Sequence, residues 1–442
     1  MKEPTPPLED LTFFVRTFGC QMNENDSERI SGLLVAAGAR KTDKPEKSRV
    51  VIVNTCAVRA KAEEKLFSYL GRLHSLKKKR GTIIGVAGCV AQLYREKLFE
   101  KSPDLDFVLG PDNYDRLPEL LLQKIPKKVV WTRWSSRWRE GEPRRFMRES
   151  SVSAYITIME GCDHFCSYCI VPYTRGRMKF RPGRAILEEA SDLARRGYKE
   201  IQLLGQNVNS YNDPETDLDF ASLLASLGRV EGLEWIRFIT SHPKNFTEEI
   251  ARAMAGERKI CRQLHLPLQS GSTTVLERMR RGYTREEYFE KVRRIRDLLP
   301  ETSLSTDIIV GFPGETEQEF EETLTALADI RFSNIFSFRY SPRPRTAAAR
   351  FADDVHLELK RRRLLEVQGL QKDIQMRIHG GFIGRTIKVL CSGRSKKDPR
   401  MFAGRSEGFQ VVNFKADRDC LGRMVEVRIT DCGPYSLRGE AA

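Results

Sequence analysis

Cys20, Cys56 and Cys89 each close a short apolar, β-branched run, FFVRTFGC, RVVIVNTC and TIIGVAGC, and each run gives way to a helical pattern. Runs of this kind read as buried strands. Their spacing of 36 and 33 residues matches one strand-helix-strand unit of roughly 30 residues or more. The pattern constrains the chain to a parallel sheet with all three cysteines at one edge, the edge where open α/β sheets bind ligands. Between 10 and 123, strands are expected near 12–18, 49–54, 82–88 and 106–109, alternating with helices near 25–37, 58–79, 91–100 and 113–122. That is a doubly wound α/β domain.

A second cysteine group is local. Cys162, Cys166 and Cys169 lie within eight residues, in GCDHFCSYC. Three thiolates ligate a [4Fe-4S] cluster while leaving one iron without a protein ligand. The amino and carboxylate groups of S-adenosylmethionine bind such an iron, and an electron from the cluster breaks the sulfonium carbon-sulfur bond. C-x3-C-x2-C therefore reads as a radical-generating site. A zinc knot would need a fourth ligand, for which the nearby candidate is His164, wedged between two of the cysteines. By the same logic Cys20, Cys56 and Cys89 read as a second [4Fe-4S] site with one free iron, although three small core thiols would give the same pattern. Cys261, Cys391, Cys420 and Cys432 are expected to be ordinary packing thiols.

After a basic segment at 124–150, AYITIMEGC opens a second alternating series over 151–372, with strands near 154–162, 199–204, 234–239, 263–266, 303–310 and 333–338. Six parallel strands are too few for an eight-stranded barrel, so an open, partial β/α barrel is expected, with chemistry at its strand C-termini. Gly205, Gln206 and Asn207 follow one predicted strand, and Gln269, Ser270 and Gly271 another. Both groups, with Asp307 and the Gly311–Gly314 turn, are candidates to line the S-adenosylmethionine pocket, and loop-capping residues would look the same. Arg175 and Arg177 in YTRGR are candidates for a cofactor carboxylate or an RNA phosphate, with a surface salt bridge as the alternative. From 373 to 440 the runs RTIKVLCSG, FQVVNF and RMVEVRITDC read as a small β-barrel of the kind that binds nucleic acid.

The 442 residues carry a formal charge of +15, which favours a polyanionic partner. Residues 124–149 hold nine basic side chains against three acidic ones, and Trp131, Trp134 and Trp138 are three of the four tryptophans. Basic and aromatic residues interleaved in this way suit single-stranded RNA; a solvated linker packing its tryptophans on a neighbouring domain is the alternative. Lys77–Arg80 and Lys360–Arg363 read as solvated charge. No run of eighteen apolar residues occurs, and the N-terminus MKEPTPPLED is unlike a signal peptide. With ten cysteines in metal-ligand spacing, a cytoplasmic protein in a reducing compartment, with no membrane contact, is expected.

FGCQMNENDSE, NTCAVRAKAEEK and GVAGCVAQ, then GCDHFCSYCIVPYTRGR, LLGQNVNSY, HLPLQSGS and DIIVGFPGET, then SGRSKKDP and SLRGE resemble the radical S-adenosylmethionine methylthiotransferases, in that family's order and over nearly the whole chain. The resemblance implies an N-terminal methylthiotransferase domain, a radical domain and a C-terminal TRAM domain. It implies that Cys162, Cys166 and Cys169 hold the cluster that cleaves S-adenosylmethionine, and that Cys20, Cys56 and Cys89 hold an auxiliary cluster. Gln21, Met22 and Asn23 point to members that act at C2 of N6-dimethylallyladenosine beside the anticodon, rather than on threonylcarbamoyladenosine or a ribosomal-protein aspartate. Two S-adenosylmethionine molecules per product, the tRNA anticodon loop and an electron donor as partners, and a monomeric enzyme complete the expectation. A non-catalytic iron-sulfur RNA-binding protein is the reading of a different class, and the free iron in both sets argues against it.

Overall fold

The computed structural model describes residues 8–123, 128–136, 138 and 146–442. The chain forms two compact units. The first takes the chain up to Glu149 together with Glu160–Asp163 and Cys169–Lys179; the second takes Ser150–Met159, His164–Tyr168 and Phe180–Ala442.

In the first unit a parallel sheet runs in the order Arg40–Lys41, Thr12–Phe18, Val50–Thr55, Ile83–Ala87, Phe107–Leu109, Val129–Trp131. All its pairings are parallel. The central strand Val50–Thr55 is buried along its whole length. Val51 and Val53 face one apolar layer and Val50 and Ile52 the other, as the two-residue alternation of a strand requires. Helices cover both faces, which explains the unbroken apolar run. Helix Ala60–Arg80 buries Leu66, Leu70 and Leu73 on one stripe and ends at Gly81 in the left-handed region (φ 60°). Its last turn carries Lys77, Lys78, Lys79 and Arg80, where positive charge meets the negative helix terminus.

Two differences from expectation follow from local physics. The helix expected near 91–100 is split into Cys89–Tyr94 and Lys97–Lys101 at Arg95, which has φ 49°. Part of the basic segment, Val129–Trp131, is the sixth strand, paired with Phe107–Leu109; its three apolar residues are masked in sequence by flanking charge.

The second unit holds six parallel strands as two three-stranded sheets, one of Trp235–Phe238, Glu200–Leu204 and Ser153–Thr157, the other of Gln263–His265, Ser303–Val310 and Asn334–Arg339. The ladder between Trp235–Phe238 and Gln263–His265 is carried instead by Lys259–Cys261, with a parallel bridge Ile236–Ile260. This is the partial barrel. Helix Leu357–Gly380 then continues past 373, because Val367, Gln371, Ile374, Gln375 and His379 keep a helical buried stripe. Strand structure starts only at Thr386. Lys360 and Arg363 are buried rather than solvated, Lys360 on Asp353 and Arg363 on Glu315 and Glu317. A closed five-stranded barrel ends the chain, in the order Thr386–Arg394, Phe402–Ser406, Val411–Lys415, Leu437–Ala441, Met424–Cys432. It packs on the partial barrel through Leu390 and Met424 against Val152, Trp235 and Cys261. Cys391 and Cys420 are buried in its own core with Cys432 packed against them, so the four remaining cysteines are packing thiols.

Candidate functional site

The strand order of the first sheet reverses between Thr12–Phe18 and Val50–Thr55, since the chain adds Arg40–Lys41 on one side and all later strands on the other. Crevices at such a switch point bind ligands. Cys20 and Cys56 follow these two strands, and Cys89 follows the next, Ile83–Ala87. Cys20 caps helix Gln21–Ala36 and Cys89 is the first residue of its own helix. Asn23 and Asn54, both buried, tie the strand ends together: Asn23 Nδ2 donates to Asn54 Oδ1 (3.2 Å), and Asn54 Nδ2 donates to the Asn23 carbonyl (2.8 Å). Gly88 has φ 90°, and a Cβ there would lie 2.3 Å from Asn54 Oδ1, so only glycine lets the chain turn into Cys89.

The three thiols feel one another. A hydrogen bond from Cys56, aided by the Arg175 charge and the helix amides of Asn23 and Met22, pulls the Cys20 thiol down to about 6 against its burial. The same bond to Cys20, then burial, pushes Cys56 up. Burial is the main cause that raises Cys89. Arg175 is neither at the surface nor open to RNA. Its Nε donates to Cys89 Sγ (3.2 Å) and its Nη2 to Asp26 Oδ2 (2.5 Å). Arg177 instead pairs with Asp163 at the surface (3.3 Å).

In the motif loop, Cys162 and Cys169 are half-buried members of the first unit and Cys166 is a buried member of the second. Within the second unit the loop is fixed by several bonds. The Ser167 amide donates to the Met279 carbonyl (2.9 Å), its hydroxyl to the Arg278 carbonyl (2.7 Å), and its own carbonyl accepts from the Ala348 amide (2.7 Å). His164 stacks on His242 with ring centres 3.8 Å apart, and its Nε2 lies 2.6 Å from Asn245 Oδ1 and 3.1 Å from Asn207 Nδ2. His164 is thus held by the side-chain amides of Asn245 and Asn207 and by stacking on His242. Burial, then the Arg281 charge, holds His242 far below the usual imidazole range, so it is neutral. Arg281, itself buried, donates from Nη1 to Cys166 Sγ (3.3 Å).

The strand-end residues divide. Asn207 joins the His164 network, and the amides of Gln206 and Asn207 meet Met159 Sδ. Gln269 has φ 76° and exchanges backbone bonds with Asp307 and Ile309. Ser270 and Gly271 pack against helix Glu317–Ile330 instead: Thr323 Oγ1 accepts from the Gly271 amide (2.9 Å), and a Gly271 Cβ would lie 2.5 Å from the Glu322 carbonyl oxygen. Asp307 is half-buried, 3.5 Å from His265 Nε2. His265 also contacts Ser305 Oγ (3.0 Å) and the edge of the Phe336 ring, which is 50% exposed. His265 was within reach of sequence reading through HLPLQSGS; Phe336 carries no motif.

Trp131 lies in the sixth strand, packed into the apolar layer with the Arg116 guanidinium 3.8 Å from its ring centre. Trp134 is exposed, beside Gly176. Residues 124–127, 137 and 139–145 of the basic segment lie outside the described residues. On the terminal barrel, Arg394, Lys396, Lys397 and Arg400 are exposed, with Arg400 paired to Asp398 (3.0 Å).

Among the described residues no group of His, Cys, Asp or Glu has the close spacing of a single-ion site. A four-iron cluster takes each thiolate on a different iron, so its ligands stand farther apart than those of one ion, and an all-sulfur donor set suits it. Each cysteine set offers three sulfur donors of that kind.

Family models match in the order of the fold: Uncharacterized protein family UPF0004 over 12–110, Radical SAM superfamily over 156–327 and TRAM domain over 382–442. Among solved structures, the radical S-adenosylmethionine methyltransferase TsrM from Kitasatospora setae, with cobalamin and a [4Fe-4S] cluster bound, superposes with a TM-score of 0.53 at 15% identity, covering 76% of each chain. Fold and matched domains together define a radical SAM enzyme with a C-terminal TRAM domain. Curated proteins named tRNA-2-methylthio-N(6)-dimethylallyladenosine synthase are 44% identical in Clostridium novyi (99% of this chain, 98% of that protein) and 45% identical in Geobacter sulfurreducens (98% of each). The chain belongs to this family of radical SAM methylthiotransferases. No described helix is long and apolar enough to cross a membrane.

Proposed function

We propose that this protein inserts a methylthio group at C2 of N6-dimethylallyladenosine beside the tRNA anticodon, with one [4Fe-4S] cluster on Cys162, Cys166 and Cys169 and a second on Cys20, Cys56 and Cys89. The observation that carries the reading is the pairing of full-length identity to the synthases with two sets of three cysteines that follow strands, each of which would leave one iron of a four-iron cluster open. When bound, the motif-loop cluster supplies the electron that breaks the sulfonium bond of S-adenosylmethionine. An aromatic C2–H is too weak an acid for a general base, so a radical route suits the substrate.

The chain's own residues bind and orient. Ser167 and the His164–Asn207–Asn245 network hold the motif loop. Arg175 and Arg281 donate hydrogen bonds to one sulfur in each set. Asn207, Gln269, Asp307 and His265 supply polar groups toward S-adenosylmethionine at the strand C-termini, and Phe336 offers an exposed ring on which an adenine can stack. The exposed Arg394, Lys396, Lys397 and Arg400 of the terminal barrel are the phosphate contacts.

The test is mass spectrometry of tRNA nucleosides from cells that lack and then regain the gene. 2-Methylthio-N6-dimethylallyladenosine should vanish and return with the wild-type chain, and should stay absent with the Cys20, Cys56 and Cys89 triple-alanine variant. Its persistence in the deletion, or loss of a methylthiolated threonylcarbamoyladenosine or ribosomal-protein aspartate instead, would overturn the reading.

A further inference from the structure

Arg175 has a side chain that is 3% exposed, and among the described residues its side-chain hydrogen bonds go to Cys89 and Asp26. Its Nε–H points at Cys89 Sγ (3.2 Å), while Nη2 and Nη1 reach the two oxygens of Asp26 at 2.5 and 3.5 Å. The Tyr114 hydroxyl donates to the same carboxylate (3.2 Å) and is itself fully buried. Sulfur, guanidinium, carboxylate and phenol thus form one buried chain.

A hydrogen bond to a ligating sulfur and a nearby positive charge both stabilise the more negative, reduced state of an iron-sulfur cluster, and a nearby carboxylate does the opposite. Burial strengthens both effects, because little water screens them. We propose that Arg175 and Asp26 set the reduction potential of the cluster held by Cys20, Cys56 and Cys89, Arg175 raising it through the Nε–H···S bond and its charge, and Asp26 lowering it. The inference rests on reading these three cysteines as cluster ligands. Arg175 is a positioning residue here, acting through Cys89. A purely structural ion pair behaves differently: loss of either partner damages the site in the same direction.

The experiment uses the full chain carrying Cys162, Cys166 and Cys169→Ala, so that only the N-terminal cluster remains, reconstituted anaerobically. Its one-electron reduction by dithionite through viologen mediators is followed by electron paramagnetic resonance. Arg175→Gln should make reduction about tenfold less favourable, a midpoint lower by ~59 mV. Asp26→Asn, which leaves the arginine charge uncompensated, should shift the midpoint upward by a similar amount. Arg175→Lys, which keeps the charge without the rigid fork, should fall between Arg175→Gln and the parent. Unchanged midpoints with iron content intact, shifts of the same sign in Arg175→Gln and Asp26→Asn, or loss of iron in all three variants would overturn the inference. A parent protein that binds no iron would overturn the ligand reading itself, and the inference with it.

Discussion

The two cysteine sets are built by opposite routes. Cys20, Cys56 and Cys89 are 36 and 33 residues apart and meet only because three adjacent parallel strands end together. Cys162, Cys166 and Cys169 are neighbours in sequence, and their loop is fixed at Ser167 by backbone bonds with Met279 and Ala348 and a hydroxyl bond to the Arg278 carbonyl. Each set has one sulfur that accepts from a buried arginine, Cys89 from Arg175 and Cys166 from Arg281. The arginines differ in their surroundings. Arg175 is balanced by Asp26. Arg281 gives its other hydrogen bonds to the Pro267 carbonyl and the Tyr283 and Tyr168 hydroxyls, so among the described residues its hydrogen bonds reach no carboxylate. A sheet-built site can place a compensating acid on the helix that follows the strand. The loop-built site keeps its positive charge facing the sulfur, which would favour an added electron on a cluster held there.

The largest test of this contrast removes each set in turn. The Cys162, Cys166 and Cys169 triple-alanine variant should lose all cleavage of S-adenosylmethionine. The Cys20, Cys56 and Cys89 triple should keep it under strong reductant while making no methylthiolated product, with 5′-deoxyadenosine and product both followed by mass spectrometry. Product formation by either variant would break the division of labour.

Next in size is the effect on RNA. Neutralising Arg394, Lys396, Lys397 and Arg400 should weaken tRNA binding and flatten its salt dependence, by a slope of roughly one for each phosphate no longer neutralised. Cofactor cleavage should persist. Trp131→Ala should act on folding, since the ring is packed in the sheet, whereas loss of the exposed Trp134 should lower tRNA affinity by about 1–3 kcal/mol if it stacks on a base. Equal effects of the two on binding titrations would return the whole segment to the RNA interface.

Arg281→Gln sharpens the comparison directly. A hydrogen bond to a charged group contributes about 1.5–3 kcal/mol, so the rate of cofactor cleavage at limiting reductant should fall tenfold or more. Arg281→Lys should recover part of it. The smallest expected effect is Gly271→Ala, where the approach of helix Glu317–Ile330 should cost about 1–3 kcal/mol of stability, read as a lower midpoint of thermal unfolding at unchanged iron content.

Much of this was legible in the chain. Alternating apolar runs and helical stripes exposed the three α/β and β segments, because strand and helix periods are local properties. The cysteines were legible because metal spacing within a loop, and strand-end recurrence between loops, leave a sequence trace. The arginine partners were not. Arg175 is 86 residues from Cys89, and Arg281 is 115 from Cys166, and a buried arginine has the same local signature as a solvated one. Lys360 and Arg363 were hidden for that reason too, their burial depending on Asp353, Glu315 and Glu317. Ser270 and Gly271 had the composition of a ligand loop, yet the close approach of a helix explains them.

The central claim is that each three-thiol set holds its own [4Fe-4S] cluster, and iron analysis with Mössbauer spectroscopy of the anaerobically reconstituted full chain tests it most directly. The account predicts about eight irons in the wild type and about four in each triple-alanine variant, all in cubane clusters. About four irons in the wild type, or a triple variant that keeps about eight, would contradict it.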